Sequence, residues 1–223
     1  VLMITISACG IVPAFGSRTL ITETRDVSGF TRVEVSGGGT MDIIQDGTES
    51  LTVETDDNVM QYITCELRGG TLYLGMDFGI RSFLPSRLHF TLHIKDLAGI
   101  STSGSWEVVA ASLQTGSLNI VTSGSGKVTI NALTADQLNT TVSGSGDLDL
   151  SGDVKEQTIS ISGSGKYAAG DLQSTTANIG ISGSGNVTVW ATERLTAHVS
   201  GSGDVSYYGI PQVSFEESGS GDI

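Results

Sequence analysis

Hydrophobic and polar residues alternate along almost the whole chain from Leu20 onward, and a period of two is typical of β-strands. In Leu88–Ile94, for example, every second side chain is apolar, while His89 and His93 occupy the opposite face. Glycine pairs and Asp-rich stretches interrupt the alternation at short intervals and predict turns. Residues 59–63 suit a brief helix, and no longer helix is predicted.

The tetrapeptide Ser-Gly-Ser-Gly recurs at nearly constant spacing through the second half of the chain. An incomplete copy begins at Ser103 and ends in Trp106, and from Ser103 the intervals are 20, 20, 19, 20, 18 and 18 residues. A unit this short cannot bury a hydrophobic face alone, so we expect neighbouring units to stack. The complete copies begin at Ser123, Ser143, Ser162, Ser182, Ser200 and Ser218.

This repeat predicts an all-β fold, a single-stranded, right-handed parallel β-helix with about 18–20 residues per coil. Strand parity places Val142 and Leu148 on the apolar side and assigns both intervening glycines, Gly144 and Gly146, to the same side. The serines then point outward and form ladders, with about 4.8 Å between coils. Glycines at this place allow the sharp corner that a narrow solenoid needs.

The pattern divides the chain into a short leader and one long β-helix. Residues 1–19 are predicted to be the remnant of a signal sequence followed by a tether. Residues 20–97 are expected to form irregular coils, and residues 98–223 to form the regular repeats. The apolar loop at residues 79–86 is expected to plug one end of the β-helix or to form a contact surface.

The first residues are apolar, and Ile6-Ser7-Ala8-Cys9 resembles the lipobox of bacterial lipoproteins, in which the cysteine is acylated. Acylation of Cys9 would anchor an exported protein to a membrane. The alternative is a fragment of an ordinary signal peptide or membrane anchor. The segment is too short to span a bilayer by itself, and both interpretations predict export to the periplasm or the cell surface.

The charge of the chain argues against one large class of partners. The 11 Lys and Arg residues stand against 24 Asp and Glu residues, so the formal net charge is −13. This excess of acid, without any basic cluster, argues against nucleic acid as a partner and opposes adsorption to anionic lipid. The hydrophobic content of 38% predicts a folded chain despite the many glycines and serines.

Few residues are candidates for metal or thiol chemistry. Cys65 shares a strand face with Ile63 and Leu67, so a buried, inert thiol is predicted there. His89 and His93 are predicted to be solvated, because two histidines four apart on a strand do not share a metal as they would on a helix.

The residue after each tetrapeptide forms a further column. Lys127 and Asp147 are opposite in sign and predict a surface ion ladder, with Trp106 assigned to this column in the incomplete copy. Calcium at Asp204 and Asp222 is the alternative, but the Gly-Gly-x-Gly-x-Asp repeat that binds calcium is lacking. No metal or other cofactor is therefore predicted.

Parallel β-helices include enzymes that cleave polysaccharides, so a catalytic site has to be considered. The column of Asp149 holds no second carboxylate, so no acidic cleft builds up from coil to coil. The chain has no nucleophile elbow or phosphate loop, and no catalytic residue is predicted. Trp106, Trp190 and Tyr208 are the candidate ligand contacts, because exposed aromatic rings can stack on sugars.

Two N-terminal segments complete the pattern, FTRVEVSGGG at residues 30–39 and LTVETDDN at residues 51–58. Together with the repeats at residues 123–222, they resemble the bacterial putative auto-transporter adhesin, head GIN domain family, and the resemblance covers nearly everything from about Arg25 onward. It implies a right-handed β-helix in exported, often lipid-anchored proteins. It implies no enzyme activity and supplies no site residues.

The sequence therefore favours a non-catalytic β-solenoid of the cell envelope, structural or adhesive, with a lipid anchor at Cys9. Its partner would be a surface glycan or an envelope protein. A glycan-binding or glycan-processing β-helix is one alternative, and a periplasmic partner of an envelope sensing system is another.

Overall fold

The computed structural model describes residues 14–77 and 83–223, and nearly all regular structure in them is β-strand. One 3-10 turn, Met60–Tyr62, lies where a brief helix was predicted. The strands are β1 Ala14–Phe15, β2 Leu20–Arg25, β3 Arg32–Gln45, β4 Ser50–Asp56, β5 Ile63–Arg68, β6 Thr71–Met76, β7 Phe83–Leu84, β8 Leu88–Ile94, β9 Gly99–Ala110, β10 Leu113–Gly124, β11 Lys127–Gly144, β12 Asp147–Gly163, β13 Lys166–Gly183, β14 Asn186–Gly201, β15 Val205–Tyr208 and β16 Gln212–Gly219.

The strands from β9 to β16 stack in parallel, coil upon coil, so the predicted parallel solenoid is confirmed. Residues 99–223, which we call the coils, bury their alternating apolar side chains inside the stack. The copies of the tetrapeptide lie in register, and the N-terminal Ser36 joins them because it pairs with Ser103. The full serine column is Ser36, Ser103, Ser123, Ser143, Ser162, Ser182, Ser200 and Ser218.

The first glycine of each complete tetrapeptide is exposed or half-buried and has a positive φ, so the prediction that both glycines face the interior is wrong for this position. Gly144 has a φ of +112°, a backbone conformation that residues with a side chain rarely adopt. A Cβ at Gly144 would lie 2.7 Å from the carbonyl oxygen of Gly124 in the preceding coil. The chain turns its corner here, and strand parity is interrupted at this one residue.

The second glycine of each tetrapeptide is buried and serves packing. A Cβ at Gly165 would lie 2.6 Å from Cγ1 of Val142, and one at Gly185 would lie 2.6 Å from Cγ2 of Ile161. The missing side chain therefore leaves the space that a β-branched residue of the preceding coil fills. The apolar residue before each tetrapeptide and the glycine that ends the next one form a complementary pair.

Trp106 occupies the column of the second glycines, and its assignment to the column of Lys127 is wrong. Glu107 is the residue that pairs with Lys127. Trp106 pairs with Gly39 on the preceding strand and is 1% exposed. Its ring stacks on Phe90 with centroids 5.3 Å apart. The indole ring of Trp106 thus fills the interior of the first coil at the position where later coils have glycine.

Residues 14–77 and 83–97, which we call the cap, lie at the N-terminal end of the stack and pair in mixed directions. Strand β3 runs parallel to β9 on one side and to β6 and β8 on the other. Strand β4 runs antiparallel to both β8 and β2, and β5 forms a hairpin with β6. The cap therefore replaces the uniform parallel stacking of the coils with a folded-over edge of the same sheet.

A buried carboxylate holds the outer part of the cap together. Asp56 is 0% exposed and accepts hydrogen bonds from the Arg18 backbone N–H at 2.6 Å and from the Ser86 N–H and hydroxyl at 2.6 and 2.7 Å. Burial acts to raise the pKa of Asp56, but the hydrogen bonds from Ser86, Arg18 and Arg87 lower it below its usual value. The carboxylate therefore stays ionised and ties three segments of the cap to one another.

Candidate functional site

An open groove of about 1090 Å³ runs along one flank of the solenoid where the cap meets the coils. Its floor contains the buried side chains of Leu113, Ala135 and Val154, one from each of three successive coils. Polar side chains line its sides, so it combines a shallow apolar base with many hydrogen-bonding groups.

The amide of Gln45 closes the N-terminal end of this groove. Its Nε2 donates to the backbone carbonyls of Lys95, at 3.1 Å, and Gln114, at 2.9 Å. Its Oε1 accepts from the Gln114 N–H at 2.7 Å. The Gln45 side chain thus forms the hydrogen bonds that a neighbouring strand would otherwise make with the backbone N–H and carbonyl of Gln114. These bonds fix the position of Gln114.

Both lysines that line the groove are paired with carboxylates. Lys155 Nζ lies 2.6 Å from Asp136 Oδ1, and Lys95 Nζ lies 2.7 Å from Glu49 Oε2. The hydrogen bond that Lys155 donates to the Asp136 carboxylate raises the pKa of Lys155. Asp96 and Asp153 also line the groove, so it presents positive and negative groups in nearly equal number. A neutral, polar ligand fits such a surface better than an ionic one.

One column of outward-facing residues leads from this groove toward the far end of the coils. Gln114 pairs with Thr134, which pairs with Asp153, and the same register continues in each following coil. At about 4.8 Å for each of its five steps, the column is about 24 Å long. We call this column the corner ladder, and its members are Gln114, Thr134, Asp153, Gln173, Trp190 and Tyr208.

The corner ladder ends in two neighbouring aromatic rings. Trp190 is half-buried and Tyr208 is 59% exposed. The Tyr208 ring crosses the coil of Trp190 and contacts Gly170 in the coil before it. A Cβ at Gly170 would lie 2.8 Å from Cε2 of Tyr208, so the ring depends on the absence of a side chain there. Gly170 lies at an irregularity in the register of β13 with β14, and this irregularity creates the space in which the Tyr208 ring packs.

A buried chain of hydrogen bonds supports Trp190 from inside the solenoid. The Tyr167 hydroxyl donates to Gln157 Oε1 at 2.9 Å, and Gln157 Nε2 donates to Ser174 Oγ at 2.8 Å. The Ser174 hydroxyl donates to the Trp190 carbonyl oxygen at 2.8 Å. Burial raises the pKa of Tyr167, so its hydroxyl keeps the proton that begins the chain. Each side chain along this path donates a hydrogen bond to the next group, and the last of these bonds holds the Trp190 carbonyl in place.

The structure brings together two of the three aromatic residues that were predicted as ligand contacts. Trp190 and Tyr208 are neighbours in the corner ladder, whereas Trp106 lies in the core. The prediction that Trp106 is an exposed aromatic is wrong, because it fills the space of a core glycine. The polar members of the corner ladder were not predicted. A common spacing could have identified them, because each precedes the tetrapeptide that follows it by nine residues: Gln114, Thr134, Asp153 and Gln173.

Other predicted groups lie apart from the ladder. His93 Nδ1 lies 2.6 Å from Asp46 Oδ2, and hydrogen bonds from Thr48 and then His93 lower the pKa of Asp46 to about 2. His89 is also half-buried and lies 3.6 Å from Asp42. In the residues that the structure describes, no group of three or more His, Cys, Asp or Glu is placed to hold a metal.

Cys65 and the charged column also differ in part from expectation. Cys65 is half-buried, and its neighbour Leu67 is 48% exposed. Burial raises the pKa of the Cys65 thiol, which suits the predicted inert group. Lys127 and Asp147 pair in register as strand neighbours, but the ion pairs of the described coils join other residues, such as Lys155 and Asp136.

Comparison with known proteins assigns the chain to a family. The model of the putative auto-transporter adhesin, head GIN domain family matches residues 29–211. The chain belongs to this family. The match spans the inner part of the cap and most of the coils, including the corner ladder. No protein of curated function matches the chain in sequence.

Solved structures of bacterial proteins share the fold. A putative adhesin from Bacteroides fragilis is 30% identical, with a TM-score of 0.89 over 93% of this chain and 97% of its own. A putative lipid binding protein from Parabacteroides distasonis is 23% identical, with a TM-score of 0.80 over 95% and 100%. A putative adhesin from Parabacteroides merdae is 18% identical, with a TM-score of 0.71 over 94% and 98%.

The described residues contain no helix that could attach the protein to a membrane by spanning it. In residues 14–77 and 83–223, no helix has the length and apolar character needed to cross a bilayer. Cys9 and the lipobox, on which the predicted lipid anchor depends, lie outside the described residues, and so do residues 79–82 of the apolar loop at residues 79–86.

Proposed function

We propose that this member of the adhesin family is a non-catalytic binding module of the bacterial cell envelope, anchored through Cys9, and that it holds an extended surface glycan along the corner ladder. The observation that carries the proposal is the ladder itself. It is a row of hydrogen-bonding side chains in register with two supported aromatic rings. A polymer with repeating hydroxyl groups and apolar ring faces suits such a row.

The charge of the ladder supports a neutral polymer. The whole chain carries a formal charge of −13, whereas the six ladder positions include one carboxylate, Asp153. Amide, hydroxyl and carboxylate groups in a row supply both donors and acceptors, and sugar hydroxyls need both.

A binding role is favoured over glycan cleavage. Cleavage by the common mechanisms needs two carboxylates that face each other across the bond to be broken. On the ladder, the neighbours of Asp153 are Thr134 and Gln173, which cannot supply the second carboxylate. The glycan is therefore held without turnover, in keeping with an adhesin-like module.

The test is a panel of purified envelope and host polysaccharides, with bound protein measured as a function of concentration. Trp190→Ala and Tyr208→Ala are each expected to weaken binding by about fivefold, since an aromatic contact contributes about 1 kcal/mol. Tyr73→Ala is the matched control, because Tyr73 is 37% exposed on the cap and lies far from the ladder in the strand order. Retention of no polysaccharide by the wild-type chain would overturn the glycan assignment.

Two further readouts separate the alternatives. Release of new reducing ends from a bound polysaccharide would favour a glycan-processing enzyme. Recovery of one defined membrane protein with the intact chain, without glycan affinity, would favour a periplasmic partner of an envelope sensing system. Metabolic labelling with a radioactive fatty acid tests the anchor, and the label is expected to disappear in Cys9→Ser.

A further inference from the structure

The turn that leads into the cap exposes several apolar side chains at one tip of the molecule. Phe15 is 68% exposed, and Leu84, its neighbour on the paired strand, is 53% exposed. Leu20, at the other end of the turn, is 45% exposed, whereas the next residue, Ile21, is 40% exposed on the opposite face of β2. Large apolar residues grouped in this way mark a contact surface more often than isolated ones do.

This turn is rigid, because its backbone is tied to the turn at residues 56–58. The Ser17 N–H donates to Asn58 Oδ1 at 3.0 Å, and Asn58 Nδ2 donates to the Phe15 carbonyl at 3.1 Å. The Asp57 N–H donates to the Thr19 carbonyl at 2.9 Å. The exposed side chains are therefore presented by a fixed backbone.

Arg18 stands at the apex of the turn in an unusual conformation. Its φ is +68°, and it is the one non-glycine residue with a positive φ in the part of the chain that the structure describes. Its backbone N–H is held by Asp56, while its side chain is exposed. No ion pair of the described residues includes the Arg18 guanidinium. A free guanidinium between apolar side chains is well suited to a phosphate at an apolar boundary.

We propose that this tip contacts the membrane interface, with Phe15, Leu20 and Leu84 at the boundary of headgroups and acyl chains and Arg18 paired with lipid phosphate. The inference rests on the lipid anchor in the proposed function and adds a second, protein-made contact beside it. Six residue steps separate Cys9 from Phe15, so an extended tether is at most about 22 Å long. An acylated Cys9 would therefore keep the tip close to the bilayer surface.

A second exposed apolar group among the described residues does not suit phosphate. Ile210 is 96% exposed at the far end of the coils, and Val213 follows it at 42%. Glu216 and Glu217 lie on the same terminal strand, β16, and would repel lipid phosphate. The cap tip also has an exposed carboxylate, Asp57, which accepts a hydrogen bond from the Ser17 hydroxyl. A contact at the cap end would orient the corner ladder away from the membrane.

The experiment uses the acylated full chain in vesicles of phosphatidylcholine with brominated acyl chains, which quench indole fluorescence at short range. Phe15→Trp is placed in a Trp190→Phe background, and Ile210→Trp in the same background is the matched control. After the emission of the Trp190→Phe parent is subtracted, quenching of at least twofold is expected for the indole introduced by Phe15→Trp and none for the one introduced by Ile210→Trp. Buried Trp106 contributes the same unquenched signal to both.

A second pair of variants tests the phosphate contact. Arg18→Gln, added to Phe15→Trp, is expected to reduce the quenching by at least half, whereas Arg194→Gln is expected to leave it unchanged. Equal quenching of the Phe15→Trp and Ile210→Trp proteins, both still attached to vesicles, would overturn the membrane contact and leave the anchor intact. Failure of the wild-type chain to attach to vesicles would overturn the anchor and, with it, this inference.

Discussion

Most strands of the cap and the coils belong to the same sheet, but different kinds of contact stabilise the two regions. In the coils, one set of contacts is repeated at each turn: parallel backbone pairing, apolar columns and two glycines per corner. In the cap, individual side chains hold the backbone, as when Arg25 Nη1 donates to the Ile63 carbonyl at 2.8 Å or Glu49 accepts from the Gly29 N–H at 2.9 Å. A repeat can use one solution many times, whereas the end of a stack needs contacts that occur once.

This difference has a consequence for electrostatics. In the described residues, six of the eight ion pairs lie in the cap, and two lie in the coils. Asp46, Glu49 and Asp56, whose pKa values are lowered by their hydrogen bonds, all lie in the cap. We therefore expect the stability of the cap to depend on pH and that of the coils to depend mainly on packing.

The largest effect is expected at the exposed corner glycine. Gly144→Val forces a β-branched residue to a φ of +112° and places its Cβ against the Gly124 carbonyl, so a loss of about 4 kcal/mol in unfolding free energy is expected. Chemical denaturation measures it, and hydrogen exchange should locate the damage in the neighbouring coils. Gly116→Val is the control, because a Cβ there has nothing within 4 Å. Equal losses in both variants would contradict the corner requirement.

The cap carboxylate is expected to have the next largest effect, and one that depends on pH. Asp56→Asn removes the charge that four donors share and should cost about 3 kcal/mol at pH 7. Because the folded pKa of Asp56 is lowered, its contribution is present above the unfolded value of about 3.9 and is lost as pH falls through the folded value. The wild-type and Asp56→Asn stability curves should therefore converge below about pH 4.

Denaturation at a series of pH values measures this convergence. Asp149→Asn serves as the control, because Asp149 is an exposed carboxylate of the coils. A difference between wild type and Asp56→Asn that stayed constant down to pH 2 would argue against an ionised carboxylate as the link within the cap.

A third prediction concerns the buried glycine and its partner. A Cβ at Gly146 would overlap Cγ2 of Thr122, so Gly146→Ala should cost about 2 kcal/mol. Thr122→Ser removes that methyl group and is expected to restore about half of the loss in the double variant. A double-mutant cycle measures the coupling, and strict additivity would show that the two columns pack independently.

The smallest effect is expected at the groove ion pair. Lys155 and Asp136 are exposed by 73% and 62% in their side chains, so Lys155→Ala should leave the free energy of unfolding unchanged within the error of the measurement. The same denaturation assay measures it. A small effect makes Lys155→Ala suitable for testing glycan binding in the groove without a change in folding.

Much of the coil architecture could be predicted from the sequence, because each coil repeats one local pattern. The spacing of Ser143 and Ser162 predicted the stacking of tetrapeptides, and the alternation around Leu148 predicted the buried columns. Two residues were predicted wrongly, Gly144 and Trp106. Strand parity assumes a straight strand, but the backbone bends at Gly144. Trp106 stacks on Phe90, which is distant in sequence and is not part of the repeat pattern.

The candidate site was predicted only in part for a similar reason. Trp190 and Tyr208 stood out by residue type, whereas Gln114 and Gln173 are ordinary surface residues until the coils are aligned. Their common distance from the tetrapeptide carries the information, but the offset is nine residues in the early coils and ten in the last two. Such a change follows from irregularities in register that periodicity alone does not reveal.

The amino-acid sequence by itself determined that this chain coils, how long each coil is and to which family it belongs, because those properties repeat every 18 to 20 residues. Only the tertiary structure decided which side chains share the corner ladder, which aromatic ring is buried and how Asp56 joins the cap. These depend on contacts between segments far apart in the chain, and the free energy of such contacts is set by distance and burial in space rather than by local pattern.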